Sequence, residues 1–349
     1  MTLQALLGIT LPIVQAPMAG VQGSALALAV CHAGALGSLP CAMLSPGLLQ
    51  QELAALQAGT VRPFNLNFFC HQPPASDAQA ELQWRELLAP YFQELGLDPA
   101  QRSPAASRAP FSAETAALLA PHRPPVLSFH FGLPEPALLA QVKSWGAKVM
   151  ASATTVAEGL WLQERGADVV IAQGLEAGGH RGHFLSDDLS EQMGTLALVP
   201  QMVAALRLPV VAAGGITHAA GVAAAMALGA AGVQVGTAYL LCPEATTSDV
   251  HRAALASRAA QHTALTRLYT GRPARGIVNR LMRELSAMNP AEPAFPLAAS
   301  ALAALRAQAE AMGSGDFSPL WAGQNTRGCQ PLPAAQITAG LAAGLPGHG

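Results

Sequence analysis

A short pattern recurs along the chain. An alanine- and leucine-rich stretch is followed by a glycine, a small residue and a run of β-branched or apolar residues, with the glycines at Gly34, Gly146, Gly166 and Gly229. Glycine readily adopts the left-handed conformation that ends a helix, so each copy indicates a helix, a tight turn and a buried strand. Repeated units of this kind require a parallel sheet, and the pattern therefore predicts an α/β protein.

Eight short apolar segments have the length of buried strands and are bounded by turn-forming residues. Helix starts support their spacing, because Ser45 precedes Pro46 and Thr155 lies three residues before Glu158, as in helix caps. Eight strands alternating with helices favour a (β/α)8 TIM barrel. The predicted strands lie near residues 12–16, 35–39, 63–69, 126–131, 148–153, 167–173, 209–213 and 232–240.

The alternative fold is a doubly wound open sheet. Such a sheet normally carries a G-x-G-x-x-G fingerprint after a strand, and this fingerprint is absent from the sequence. The phosphate loop G-x-x-x-x-G-K-[ST] is absent as well, which argues against the common nucleoside triphosphate enzymes.

Two regions interrupt the strand–helix rhythm and are too long to be ordinary connections. One is rich in proline, alanine and polar residues, and the other is a run of helical patterns. We expect a barrel over 1–242 with an insertion near 72–122, a smaller and mostly helical accessory lobe on the substrate side over 243–318, and a C-terminal segment over 319–349 that returns to the barrel.

Charge and hydropathy narrow the function classes. The formal net charge is −2 and no long Lys/Arg run occurs, so neither nucleic acid nor an anionic membrane is an expected partner. The most apolar stretch, 195–216, contains Pro200, Arg207 and Pro209, which argues against a membrane span. No Lys or Arg precedes Arg62, so a secretory signal is not indicated and we expect a cytoplasmic protein.

The five cysteines are odd in number, widely spaced and without a C-x-x-C pair. This distribution supports neither a disulfide framework nor a zinc site.

Glycines end the last two predicted strands. Gly214 and Gly215 close one segment, and Gly236 and Thr237 follow the other. Glycine permits close approach of the backbone, and free N–H groups there can bind an anion, as at the phosphate sites after strands 7 and 8 of TIM barrels. The alternative is that these glycines serve tight turns alone.

The predicted sixth strand leads into a glycine-rich segment that ends at His180, with four glycines among residues 173–182. Histidine titrates near neutrality, so at the barrel mouth His180 would suit proton abstraction. A structural loop histidine is the competing interpretation. A metal site built from Glu176, His180 and His183 is disfavoured, because glycine-rich spacing does not preset ligand geometry; we predict no metal and a solvated or structural His183.

Two further candidates come from the early strands. Met18 follows the first strand and could pack against a flat ring or fill the barrel core. Asn65 and Asn67 share one face of the third strand, where Asn67 could bind a ligand or serve as a buried structural amide.

Six segments, in chain order, resemble motifs of the bacterial class I nitronate monooxygenases, formerly called 2-nitropropane dioxygenases. TGRPARGIVNR at 270–280 and LWAGQ at 320–324 extend the similarity. The six segments are PIVQAPMAG at 12–20, GALGSL at 34–39, SFHFGLP at 128–134, AQGLEAGGHRG at 172–182, VVAAGGI at 210–216 and GVQVGTAYL at 232–240.

The resemblance implies an FMN-containing barrel that oxidises alkyl nitronates with O₂ to a carbonyl compound and nitrite, with propionate 3-nitronate as the usual substrate. His180 matches the family's active-site histidine and would be the catalytic base. With the candidates described above, the expected FMN contacts are Met18, Asn67, Gln173, Gly178, Gly179, Gly214, Gly215, Gln234, Val235, Gly236 and Thr237.

One departure from the family pattern is His130, where many relatives have threonine. A tyrosine in the substrate pocket could only be Tyr91, Tyr239 or Tyr269.

Other functions remain open at this level. A flavin-dependent enoyl-thioester reductase shares the fold and a similar histidine segment but takes hydride from NAD(P)H, and a non-catalytic flavin-binding module is a second alternative. A relative of the inosinate dehydrogenases would need a nucleophilic cysteine after the sixth or seventh strand, and none lies there. The sequence leaves a homo-oligomer open.

Overall fold

The computed structural model describes residues 1–75, 77–100 and 108–347. The remaining positions, which fall in the predicted insertion and at the end of the predicted C-terminal segment, lie outside the described residues.

A closed barrel of parallel strands forms the centre of the molecule. Its strands follow one another around the barrel in chain order, and Leu36 closes it by donating its N–H to the carbonyl of Ile13 and accepting from the N–H of Gln15, both at 2.9 Å. All the strands except β7, β10 and β11 belong to the barrel. The strands are β1 Ile13–Gln15, β2 Gly37–Pro40, β3 Phe64–Phe69, β4 Val126–His130, β5 Lys148–Ala153, β6 Val169–Gln173, β7 Gly179–His180, β8 Val210–Ala213, β9 Gly232–Val235, β10 Thr263–Thr266 and β11 Ala274–Ile277.

Helices alternate with the barrel strands and pack around them. In the described ranges, no helix has the length and apolar character needed to cross a membrane. The helices are α1 Leu3–Leu7, α2 Ser24–His32, α3 Pro46–Gly59, α4 Ala78–Glu94, α5 Ala113–Leu119, α6 Pro136–Ser144, α7 Val156–Glu164, α8 Thr195–Ala205, α9 Ala219–Ala227, α10 Asp249–Ala256, α11 Arg280–Glu284, α12 Ala298–Ala311 and α13 Ala334–Ala342.

The local signals in the sequence are present in the structure. The recurring glycines after α2, α6, α7 and α9 all have φ between 86° and 94°, the left-handed conformation that the pattern predicts. The hydroxyl of Ser45 accepts from the N–H of Leu48 at 3.3 Å, and that of Thr155 accepts from Glu158 at 3.2 Å. These caps fix where α3 and α7 begin.

All eight predicted barrel strands are present, and the TIM-barrel prediction is confirmed. The last strand, predicted to reach residue 240, ends at Val235. A short 3₁₀ helix, Thr237–Tyr239, replaces its second half, because the N–H of Tyr239 bonds the carbonyl of Gly236 at 2.9 Å. The apolar residues 238–240 resemble a strand in the sequence but belong to this turn.

The barrel interior is closed at the amino ends of the strands. Leu3 and Leu7 of α1 pack with Val126 and Val169, which begin their strands, and with other interior residues such as Met150. The interior is thus filled at this end, which leaves the carboxyl ends of the strands as the open mouth.

The accessory lobe combines helices with a small sheet. Strands β10 and β11 form an antiparallel hairpin within a region where the sequence predicted a run of helices, and β7 adds to the edge of β11. The two strands are only four residues long, which is why their pattern is weak in the sequence. Helix α4, from the predicted insertion, packs on α12, with the indole N–H of Trp84 donating to the carbonyl of Ala298 at 3.2 Å.

Candidate active site

A cavity of about 230 Å³ lies at the mouth of the barrel and collects nearly all the predicted site residues. Val235 is the exception: its side chain is 1% exposed in the core, and its carbonyl accepts from the N–H of Ala16 at 2.8 Å. The predicted residues that line the cavity are Met18, Asn67, Gln173, Gly178, Gly179, His180, Gly214, Gly215, Gln234, Gly236 and Thr237.

Three glycines, Gly214, Gly215 and Gly236, line one end of the cavity and form what we call the glycine edge. Gly214 and Gly215 have φ of 122° and 71°, a conformation that L side chains rarely adopt, so the turn requires glycine. A Cβ on Gly236 would lie 3.6 Å from the sulfur of Met18, which places Met18 beside this edge. A second cavity, of about 600 Å³, shares Gly214 and Gly215 and continues outward past Arg327.

Among the polar side chains that line the cavity, some have a hydrogen-bond partner within the protein and others carry a polar atom that has none within the described ranges. The amide of Asn67 donates to the hydroxyl of Ser128 at 2.9 Å. The Oε1 atom of Gln234 is buried without a hydrogen-bond partner in the described part of the chain, although it lines the cavity. A buried acceptor of this kind is costly unless a ligand supplies a donor.

Gln173 holds the backbone of the histidine segment. Its Nε2 donates to the carbonyl of His180 at 2.9 Å, and its Oε1 accepts from the N–H of Gly182 at 2.8 Å. The buried guanidinium of Arg181 adds three bonds of 2.8 Å, to Gln192 Oε1 and to the carbonyls of residues 173 and 174. The segment that presents His180 is therefore rigidly tied to the end of β6.

His180 lies on β7 and pairs with Ala274 of β11, so the lobe fixes its backbone. Its Nε2 lies 2.9 Å from Oγ1 of Thr270 in the turn of the hairpin. The Thr270 hydroxyl is also 3.4 Å from the carbonyl of Arg272. When the hydroxyl donates to that carbonyl, its oxygen accepts from Nε2–H of His180, and the imidazole lone pair is on Nδ1.

Apolar rings surround the imidazole of His180. The ring centroids of Phe69, Phe131, Phe295 and Trp321 lie 5.3–6.3 Å from its own. Phe131 has φ of 71°, a strained conformation for a bulky residue, of the kind that is often found at functional sites. Burial, followed by the charge of Arg108, lowers the pKa of His180 well below 6.5. The imidazole is therefore neutral at neutral pH and can accept a proton.

Two more histidines lie close to His180. The Nε2 of His130 is 3.2 Å from the carbonyl of His180, and burial lowers the pKa of His130 to about 3. Burial and the charges of Arg272 and Arg108 lower the pKa of His71 to about 4. Both are neutral at neutral pH, so Nε2–H of His130 can donate a hydrogen bond to the carbonyl of His180 and support Gln173 in holding it.

The comparisons with known proteins agree with this geometry. A sequence profile described as nitronate monooxygenase matches residues 1–344. The nitronate monooxygenase of Paraburkholderia phytofirmans is 42% identical over 339 residues, which cover 96% of this chain and 92% of that protein. The chain belongs to the nitronate monooxygenase family. Membership makes it an oxidoreductase, and enzymes of this family are flavoproteins.

Solved structures similar to this family member share its whole architecture. Nitroalkane oxidase from Streptomyces ansochromogenes has a TM-score of 0.89 and 38% identity, with 98% of this chain and 96% of that chain covered. FabK from Thermotoga maritima has a TM-score of 0.74 and 25% identity, with 98% and 94% covered.

The possible metal ligands have other partners in this family member. The carboxylate of Glu176 accepts from the N–H of Thr195 at 2.8 Å and from its hydroxyl at 2.9 Å. His183 is buried rather than solvated, with its Nε2 3.4 Å from the carboxylate of Asp187. Within the described ranges, no cluster of three or more His, Cys, Asp or Glu side chains could hold a metal ion.

None of the three tyrosines lines the cavity. The hydroxyl of Tyr239 pairs with Thr338 at 2.9 Å, that of Tyr269 donates to Asn279 at 2.7 Å, and Tyr91 packs against Phe317 in the lobe. Phenylalanine and tryptophan rings form the pocket wall instead.

Several residues around His180 could not be identified as site residues from the sequence. Thr270 and Trp321 lie in segments 270–280 and 320–324, which were noted for their resemblance alone. Phe295 and Arg108 belong to regions without any motif. Their positions depend on how the lobe folds over the barrel, and no local pattern encodes that.

Proposed function

We propose that this protein is an FMN-dependent enzyme that oxidises alkyl nitronates, with propionate 3-nitronate as a substrate, using O₂ and forming a carbonyl compound and nitrite. His180 is the proposed catalytic base. The observation that carries the proposal is a neutral, firmly held histidine, walled by aromatic rings, in the same cavity as a glycine edge and an unpaired buried amide oxygen.

The residues of the cavity fit a flavin mononucleotide. The glycine edge at Gly215 and Gly236 suits a phosphate, because the backbone can approach it closely there. The unpaired Oε1 of Gln234 suits an N–H group of the flavin ring, and Met18 offers a polarisable apolar surface for the flat ring system. When bound, FMN supplies the electron transfer and the reactivity toward O₂ that amino-acid side chains lack.

His180 would act on the carbon atom next to the nitro group. From a neutral nitroalkane it would accept the proton; a substrate that already enters as the nitronate needs no proton transfer and would only be oriented. Because Thr270 and the β7–β11 pairing hold the imidazole, little reorganisation would accompany the transfer. The aromatic rings around His180 would keep water away from the reacting carbon.

The first test is the visible spectrum of the purified protein and the identity of the flavin released by heat. We expect oxidised flavin bands and FMN rather than FAD in the supernatant. A colourless protein that does not take up FMN would contradict the proposal.

A second test separates the proposal from an NAD(P)H-dependent reductase. Under anaerobic conditions, NADH and NADPH should leave the flavin absorbance largely unchanged, whereas a nitronate should bleach it. Rapid bleaching by either nicotinamide, with no response to nitronates, would favour the reductase.

A further inference from the structure

The end of the cavity that faces the lobe contains charged side chains that the proposed chemistry does not use. Besides the histidines, the titratable residues that line the cavity are Arg108, Arg306 and Glu310. The Nε of Arg306 lies 2.7 Å from Oε1 of Glu310, which also accepts from the Ser318 hydroxyl at 2.6 Å. Arg306 and Glu310 therefore compensate each other.

Arg108 has no such counter-ion. In the described ranges no carboxylate lies within 4.0 Å of its guanidinium, and its Nη1 is buried without an acceptor. The lining histidines His130, His180 and His251 are neutral at neutral pH, because burial lowers the pKa of each. One positive charge therefore remains in the cavity.

The fold holds Arg108 near the reacting centre. Three residues later, the N–H of Phe111 donates to the carbonyl of Phe69 at 2.8 Å, and the ring of Phe111 packs against Phe68 with centroids 5.0 Å apart. Phe69 also contacts His180, with ring centroids 6.3 Å apart. This anchoring ties the Arg108 segment to the same strand end that forms the wall around His180.

A buried guanidinium without an anion is unfavourable, and a carboxylate matches its planar donor pattern with two parallel bonds. We propose that Arg108 binds a carboxylate carried on the chain of the substrate, and so determines a preference for carboxylated nitronates over uncharged alkyl nitronates. This inference rests on the proposed function, which supplies the nitronate half of the substrate.

The test compares kcat/KM for propionate 3-nitronate with that for propyl-1-nitronate, which lacks the carboxylate. The ratio of the two values should fall about 10- to 100-fold in Arg108→Gln, the range of one hydrogen bond to a charged group, mainly through KM for the carboxylated substrate. Arg108→Lys should retain part of the preference, because the charge remains but the bidentate geometry is lost. The control Arg165→Gln, whose guanidinium stacks on Trp161 outside the cavity, should leave the ratio unchanged.

Binding of succinate, an unreactive dicarboxylate of similar length, gives a second readout by calorimetry on the FMN-loaded protein. We expect at least about tenfold weaker binding in Arg108→Gln. An unchanged substrate ratio, or equal succinate affinity in wild type and Arg108→Gln, would overturn the inference. If no nitronate is oxidised but succinate binding still depends on Arg108, the anion site stands and the proposed function fails.

Discussion

Replacing Thr270 by valine tests the hydrogen bond that fixes the imidazole of His180. Valine has the shape of threonine, and Thr270 is 2% exposed, so the change removes the hydroxyl without opening a cavity. The Nε2 atom of His180 then loses its partner at 2.9 Å. The aromatic rings around it offer no replacement acceptor.

The structure sets the size of the effect. A buried donor left without an acceptor costs about 1–3 kcal/mol, so the free energy of unfolding should fall by about that amount. The imidazole also loses its fixed orientation, and misplacement of a catalytic group by about 1 Å can reduce the rate about 100-fold. We therefore expect kcat/KM for a neutral nitroalkane to fall about 10- to 100-fold.

The assay pairs urea unfolding with O₂ consumption, using nitroethane and ethylnitronate as substrates. Ethylnitronate needs no proton abstraction, so Thr270→Val should reduce its oxidation less than that of nitroethane. Thr270→Ser keeps the hydroxyl and serves as the matched control. If Thr270→Val and Thr270→Ser behave alike in unfolding and with both substrates, the assigned role of the hydrogen bond is wrong.

Three further substitutions test the catalytic base, the close packing at Gly178 and the burial of His251. His180→Asn should retain bound flavin and lose most turnover of neutral nitroalkanes; loss of flavin, seen in the absorbance spectrum, or full activity would refute the base assignment. Gly178→Ala would place its Cβ 2.5 Å from the backbone nitrogen of Gly323. The substitution should therefore lower the unfolding free energy by about 1–3 kcal/mol and weaken FMN binding. Unchanged urea unfolding and unchanged flavin occupancy would contradict this packing. Burial lowers the pKa of His251 from 6.5 to about 4, so its neutral form stabilises the fold above pH 6.5 and this contribution is lost as the pH falls toward 4. Between pH 7 and pH 5, the wild-type protein should therefore lose about 2 kcal/mol more unfolding free energy than His251→Phe does. An equal loss in the two proteins would count against this role of His251.

The barrel could be predicted from the sequence because its signals are local. Each recurring glycine ends a helix within a few residues of the next strand, and the eight strands are short apolar runs. The strand predicted over 232–240 was too long because the turn after Val235 depends on a backbone bond to Gly236 rather than on residue type.

The candidate site could be predicted only where its residues belong to the barrel. The carboxyl ends of parallel strands meet at one face, so glycines and amides near those ends could be grouped in advance. Thr270 lies 90 residues from His180 in the chain, and β7 was not recognised as a strand because it exists only through pairing with β11. The surroundings of the imidazole thus arise from tertiary packing.

Whether the protein oxidises nitronates is decided by O₂ uptake when propionate 3-nitronate is added to the purified flavoprotein without any nicotinamide. We expect rapid uptake of O₂ with release of nitrite, and we expect both to be strongly reduced in Arg108→Gln at low substrate concentration. A flavin-loaded protein that consumes no O₂ and releases no nitrite with this or any other alkyl nitronate would contradict it.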